Sequence, residues 1–292
     1  MRLSVETAEV SKKFGDKKGI LLLKEAGFDA VDYSFSGLPA DSPVLGDNYR
    51  EYAEELRKFF DENAIVCNQA HAPFELSRDE KFDMSVQHYK EIVRSIEAAS
   101  ILGAETIIVH PIYVPVGETV NGVSYEDYNY SYYKSLEPYC EKFNIRIAVE
   151  NMFYVDMKRK YRRGMLHTPE ALSEMVKRLD SPHFVACVDI GHLAITSRTE
   201  AEDFINLMSN DVLLSLHVHD NDYIMDKHML PYTGDIPWEP VMKALKKIGY
   251  KGDLTYEICT FITKMPEKLV PEALKFAEAV GRHLITIFDD AE

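Results

Sequence analysis

The chain is short of cysteine, glycine and positive charge, and each shortage narrows what it can be. Its four cysteines, Cys67, Cys140, Cys187 and Cys259, lie far apart with no CxxC or zinc-ribbon spacing. That excludes a disulfide framework and predicts reduced thiols in a reducing compartment. Glycine and proline number 14 and 13 in 292 residues and nowhere gather into a linker. Lysine and arginine total 33 against 48 acidic residues, a formal charge of −15. Such a surface repels nucleic acid unless basic residues cluster at one place. No run approaches the roughly 20 apolar residues of a membrane span, and the opening MRLSVETAEV has no apolar signal-peptide core. The expectation is a soluble cytoplasmic protein with no membrane partner. Hydrophobic residues make up 46%, enough for a sizeable core in one large α/β domain or two small ones.

What is present is a repeating alternation of short apolar runs and helical stretches. Strands are predicted at Leu3–Val5, Phe28–Phe35, Ile65–Phe74, Thr106–Val109, Arg146–Val149, Phe184–Val188, Val212–Leu214 and Leu254–Tyr256. Between them lie helices. One spans Ile20–Ala26 and is stopped by Gly27. Another carries Tyr52, Ala53, Leu56, Phe59 and Phe60 on one face, and a long one carries Phe82, Val86, Tyr89, Val93 and Ile96. Thr168-Pro169 opens a further helix with an N-cap and proline at N1. Others are predicted at Glu200–Met208, Trp238–Ile248 and about 264–287. The strands are continuous apolar runs, as expected when both faces of a parallel sheet are covered. Eight such units without a break predict a single (β/α)8 TIM-barrel domain over 1–292. A doubly wound open sheet is the alternative. It calls for a glycine-rich phosphate turn after the first strand, where Glu6-Thr7-Ala8 stands instead.

The polar residues fall where such a barrel would gather them. The stretch 212–238 holds His217, His219, Asp220, Asp222, Asp226 and His228 within twelve residues. His71, His110, Glu150, Asp189, His217 and Glu257 end six successive predicted strands, and in a (β/α)8 barrel all such ends converge on one mouth. Glu150, Asp189, His217 and Glu257 make a mixed oxygen and nitrogen ligand set that suits Mn, Zn or Co better than Ca. A divalent ion there can hold two adjacent sugar oxygens and polarise a carbonyl, making the neighbouring C–H acidic enough for a carboxylate base. The tyrosines at 113, 125, 128, 130, 132 and 133 form either a wall against a sugar ring or ordinary packing. The basic run Lys158–Arg163 either grips a phosphate or carboxylate, or is a solvated loop or an intersubunit patch.

The motifs HAPF at 71–74, VHP at 109–111, VEN at 149–151, VDIGH at 188–192, HVHD at 217–220 and GDIPWEPVMKALKKIGYKGDLTYE at 234–257 resemble the xylose isomerase-like TIM-barrel superfamily, in particular the sugar phosphate isomerases/epimerases and ketose 3-epimerases. The resemblance spans about residues 3 to 285. It implies one divalent metal ion on Glu150, Asp189, His217 and Glu257, with Glu150 and Glu257 also acting as the acid/base pair. His71, His110, His192, Asp220 and His228 are expected to hold the substrate. In HVHD either histidine could be the ligand, and the family pattern His-x-x-Asp/Glu selects His217. The implied partner is a small-molecule sugar or sugar phosphate, and homo-oligomers are common in similar families. The same superfamily contains the zinc apurinic-site endonucleases, whose three-zinc ligand set is matched in type and order by His71, His110, Glu150, Asp189, His192, His217, Asp226, His228 and Glu257. Against that alternative stand the negative charge and the PYTGDIPW segment, which is of epimerase type. A sugar dehydratase of the same superfamily is a further alternative.

Overall fold

The strands of this protein are short runs such as Thr106-Ile107-Ile108-Val109, three to six residues of each forming the barrel wall. The computed structural model describes residues 1–36, 42–74, 82–113, 119–120, 122–156, 161–196 and 201–291. Its strands are β1 (Leu3–Glu6), β2 (Ala30–Ser34), β3 (Cys67–His71), β4 (Thr106–Val109), β5 (Arg146–Glu150), β6 (Met152–Asp156), β7 (Tyr161–Met165), β8 (Phe184–Asp189), β9 (Leu213–His217) and β10 (Leu254–Tyr256). The helices are α1 (Ala8–Phe14), α2 (Asp16–Ala26), α3 (Tyr49–Glu62), α4 (Gln87–Leu102), α5 (Tyr125–Phe143), α6 (Pro169–Leu179), α7 (Ile190–Thr196), α8 (Ala201–Asn206), α9 (Trp238–Lys247), α10 (Cys259–Thr263) and α11 (Val270–Asp290).

Eight strands pair in parallel in the order β10-β1-β2-β3-β4-β5-β8-β9. The ring closes between β9 and β10 through Val218, whose N–H donates to Thr255 O at 2.9 Å and whose carbonyl accepts from Glu257 N at 3.1 Å. The result is the (β/α)8 barrel, with helices between the strands. Outward strand residues and the inner helix faces form one large core, from Leu3 and Ile20 round to Leu284. The lumen is different. Ile108, Ala148, Val185 and Cys187 make a small apolar cluster of their own. Polar pairs fill more of the interior: Ser4 Oγ donates to Asn68 Oδ1 at 2.7 Å, and Thr106 Oγ1 meets Ser215 Oγ at 3.1 Å.

Two bulges set which side chains point inward. Val31 pairs with Cys67 but Asp32 with Gln69, so Asn68 is extra on β3. Ala186 pairs with Leu213 but Cys187 with Ser215, so Leu214 is extra on β9. A bulge re-aims every residue beyond it. Here the residues beyond are Gln69 and His71 on one strand, and Ser215 and His217 on the other.

Several predicted boundaries shift. Phe82 and Val86 precede α4 rather than lying on it, and Phe82 packs on the rings of Tyr128 and Tyr132 at 5.1 and 5.3 Å. Helices α1 and α7 are too short to show a period and were not legible. The last helix begins at Val270, after a 3₁₀ turn at Glu267–Leu269, rather than near 264. The segment after β5 is an antiparallel hairpin, β6 on β7. Lys158, Arg159 and Lys160 of the basic run lie outside the described residues. Among the described residues no helix is long and apolar enough to cross a membrane.

Candidate functional site

The strand-end residues do converge. His71, Glu150, Asp189 and His217 are the last residues of β3, β5, β8 and β9, and His110 and Glu257 follow β4 and β10 by one residue. All but His110 are buried. His217 is the hub. Its Nδ1 lies 2.6 Å from Glu150 Oε1 and 3.5 Å from Glu257 Oε2, and its Nε2 lies 3.2 Å from Asp32 Oδ2. The other Glu150 oxygen meets His110 Nε2 at 2.8 Å, and His110 Nε2 lies 3.1 Å from His71 Nε2.

Asp189 opens a second group. Its Oδ1 accepts from His192 N at 2.6 Å and faces His219 Nε2 at 3.1 Å. Asn151 braces it from β5's end: Asp189 N donates to Asn151 Oδ1 at 2.8 Å, and Asn151 Nδ2 returns a bond to Asp189 O at 3.0 Å. Asp226 reaches in from the loop after β9 to His228 Nε2 at 2.9 Å, His219 Nε2 at 3.5 Å and His192 Nε2 at 3.6 Å. His219 stacks on His228 with centroids 4.2 Å apart. This closeness needs the glycine of VDIGH, because a Cβ on Gly191 would stand 1.9 Å from the His219 ring.

Electrostatics follow from burial and sign. Burial alone would raise the Glu150 carboxyl, but His217 and His110 outweigh it and hold it well below the usual range. For Glu257 burial wins over His217 and His228, and its carboxyl is pushed well up. Burial, with His110 and His217 alongside, drives His71 down to about 3. Burial would also lower His228, but Glu257 and Asp226 lift it to about 10.

The donor set suits a divalent cation. The ligand atoms of Glu150, Asp189, His217 and Glu257 lie within 4.8 Å of one another. Two neighbouring groups meet the same limit, His71 with His110 and Glu150, and His192 with His219, Asp226 and His228. Asp189 Oδ2, Asp226 Oδ1 and His219 Nδ1 are buried with no hydrogen-bond partner among the described residues. Clustered buried carboxylates with open lone pairs are costly unless a positive charge compensates them.

Above this floor lies a cavity of about 420 Å³. His110, His192, Asp226, His228 and Glu257 form its polar side. Phe74, Tyr113, Met152, Phe153 and Met165 form an apolar wall, with Phe153 edge-on to His192 at 5.1 Å. The tyrosine question divides accordingly: Tyr113 lines the cavity, while Tyr128, Tyr132 and Tyr133 are core. Asp220 requires a correction. It was expected against the substrate, yet its carboxylate is buried and filled by its own loop. Oδ1 accepts from Asn221 N at 2.8 Å and Ile236 N at 3.1 Å, and Oδ2 accepts from Tyr232 N and Trp238 Nε1, each at 3.0 Å. Asp32, Gln69 and the hairpin residues Met152, Phe153 and Met165 join the site without having been singled out in the sequence. For Asp32 the signal was an acid in the middle of the strand FDAVDYSF, past Ala30 and Val31.

The family model of the xylose isomerase-like TIM barrel matches residues 20–280. An uncharacterised protein of Methanocaldococcus jannaschii is 30% identical over 266 residues, covering 90% of this chain and 82% of its own. The D-psicose 3-epimerase of Enterocloster bolteae is 24% identical over 257 residues, covering 84% and 76%. Among solved structures, a D-tagatose 3-epimerase-like protein superposes over 99% of both chains with a TM-score of 0.74 at 25% identity. The IolI protein with a bound zinc atom does so over 99% of both with a TM-score of 0.76. At its 17% identity that likeness speaks for the fold alone.

Proposed function

Since this chain belongs to the xylose isomerase-like TIM-barrel family, we propose that it is a divalent-metal-dependent isomerase or epimerase of a small sugar or sugar phosphate. The observation that carries the reading is the buried quartet Glu150, Asp189, His217 and Glu257, with Asp189 Oδ2 lacking a donor among the described residues. These four would hold the ion. When bound, a divalent ion supplies charge that holds adjacent sugar oxygens and polarises a carbonyl.

The protein's own groups do the rest. Glu257 lines the cavity, and Glu150 is held 2.8 Å from His110, which lines it too. The two carboxylates come from strands three apart by the shorter way round the barrel, so they address a bound sugar from different sides. One removes the proton next to the carbonyl, and the other returns a proton to the opposite face or to the neighbouring carbon. The first outcome is epimerisation and the second is aldose–ketose isomerisation. His192 and His228 on the cavity's polar side orient hydroxyls. Phe74, Met152, Phe153 and Met165 keep water from the reacting carbon.

A second reading has one observation in its favour. The groups His71/His110/Glu150 and His192/His219/Asp226/His228 flank the quartet, as a three-zinc phosphodiesterase of the endonuclease IV type would require. The net charge of −15 opposes binding to DNA.

The test is a panel of ketoses and their phosphates in deuterated water, run beside an abasic-site duplex, with metal counted per chain. Solvent deuterium entering a substrate C–H supports the proposal. Duplex cleavage with three ions per chain overturns it in favour of the phosphodiesterase. Asp189→Ala should lose bound metal and with it the metal-dependent gain in stability, about 2.7 kcal/mol at a hundredfold excess over Kd.

A further inference from the structure

Asp32 lies outside every role assigned so far. It sits on β2, fully buried. Its Oδ2 accepts from Gln69 Nε2 at 2.7 Å and faces His217 Nε2 at 3.2 Å, and its Oδ1 has no hydrogen-bond partner among the described residues. The bulge at Asn68 builds this contact, because it brings Gln69 opposite Asp32. Without it the alternation of β3 would turn Gln69 out of the lumen.

A neutral imidazole presents a lone pair inward only when its other nitrogen carries the proton. His71, His192 and His228 settle this with backbone. Their Nδ1 atoms lie 2.8, 3.0 and 2.8 Å from the carbonyls of Ala72, Asn151 and Glu257, which leaves each Nε2 facing the site. His217 is turned the other way. Its Nδ1 faces Glu150 and Glu257, and its outer nitrogen meets a carboxylate instead of a carbonyl.

We propose that Asp32, anchored by Gln69, is a positioning residue for the metal centre. It accepts the Nε2–H of His217, fixes the ring so that Nδ1 points at the ion, and its charge makes that nitrogen a stronger donor. Gln69 matters because an unanchored aspartate could rotate and release the ring. The inference rests on the quartet's being a metal site, and the experiment separates the two.

The full chain, stripped with a chelator, is titrated with Mn²⁺ by calorimetry and with Co²⁺ by its visible spectrum. Asp32→Asn keeps the side-chain volume and an oxygen for Gln69 but removes the charge. It should bind either ion about 10–100-fold more weakly, the usual loss when such a partner is removed. The Co²⁺ spectrum should change, and the metal-free protein should melt as the parent does. Gln69→Leu, the second variant should Asp32→Asn fail to fold, should weaken binding by a smaller factor. Parental affinity and spectrum in Asp32→Asn overturn the inference, as does a drop in metal-free stability with affinity unchanged. If Asp32→Asn does not fold, parental affinity in Gln69→Leu overturns it. A parent that takes up no ion overturns the metal reading itself, and this inference with it.

Discussion

Asp220 gives the sharpest test of how the site is held together. Four donors converge on its two oxygens, three of them backbone N–H groups of the 221–236 loop and the fourth the indole of Trp238, the chain's single tryptophan. The same carboxylate sits 2.4 Å from where a Cβ on Gly234 would stand, so the glycine of the TGD turn is what lets the loop close over it. Asp220→Ala leaves four donors in a dry interior, at about 1–3 kcal/mol each if nothing replaces the carboxylate. Water entering the vacated space re-pairs part of them, so the low end applies, about 4 kcal/mol in all. At roughly 2–4 °C per kcal/mol for a chain of this size class, melting falls by about 8–16 °C. Asp220→Asn keeps one oxygen but turns an NH₂ group toward two of the donors, and should fall between the parent and Asp220→Ala. The assay is circular dichroism of the metal-free protein, by heat and by urea. Asp226 and His228 ride on this loop, so both variants should also lose activity. Parental melting in both variants, with only KM altered, would refute the argument and return Asp220 to the substrate.

Other expectations follow from the same geometry. Glu150→Gln and Glu257→Gln each keep an oxygen near the ion but lose the base, so turnover on a confirmed sugar should fall roughly 10²–10⁴-fold with metal at least partly retained; near-normal rates in both would make His192 or His71 the next candidate. Arg282 donates to both oxygens of Asp29, at 2.6 and 2.9 Å, and Leu3 N donates to one of them at 2.8 Å, tying the last helix to the first strand. Arg282, with Leu3 N–H, outweighs burial and holds the Asp29 carboxyl below its ordinary value. The stability this contributes is fully present above about pH 3.9 and is lost as pH falls through the lower folded value. Both partners are more than a third exposed, so Asp29→Asn should cost less than about 1 kcal/mol at pH 7. The gap to the parent should close in acid, and urea midpoints at neutral and acidic pH would expose a gap that does not.

The barrel was legible in the sequence because parallel strands with both faces covered are mostly apolar, and runs such as TIIV and FVACV stand out as such strands. The strand-end positions of His71, His110, Glu150, Asp189, His217 and Glu257 were legible for the same reason: a polar residue ending such a run marks where the strand leaves the core. Side-chain period and local capping are properties of neighbouring residues, so the chain carries them by itself. Three things it could not carry. The bulges at Asn68 and Leu214 are pairing errors between strands, and only the partner strand shows them. The division of labour within HVHD depends on them, since one extra residue decides that His217 faces Glu150 while His219 stacks on His228. Asp220 and Asp32 look alike as acids beside apolar runs, yet one is filled by its own loop and the other faces a histidine 185 residues away. What a buried carboxylate does is set by the donors that surround it, and those come from distant parts of the chain that only the closed barrel brings together.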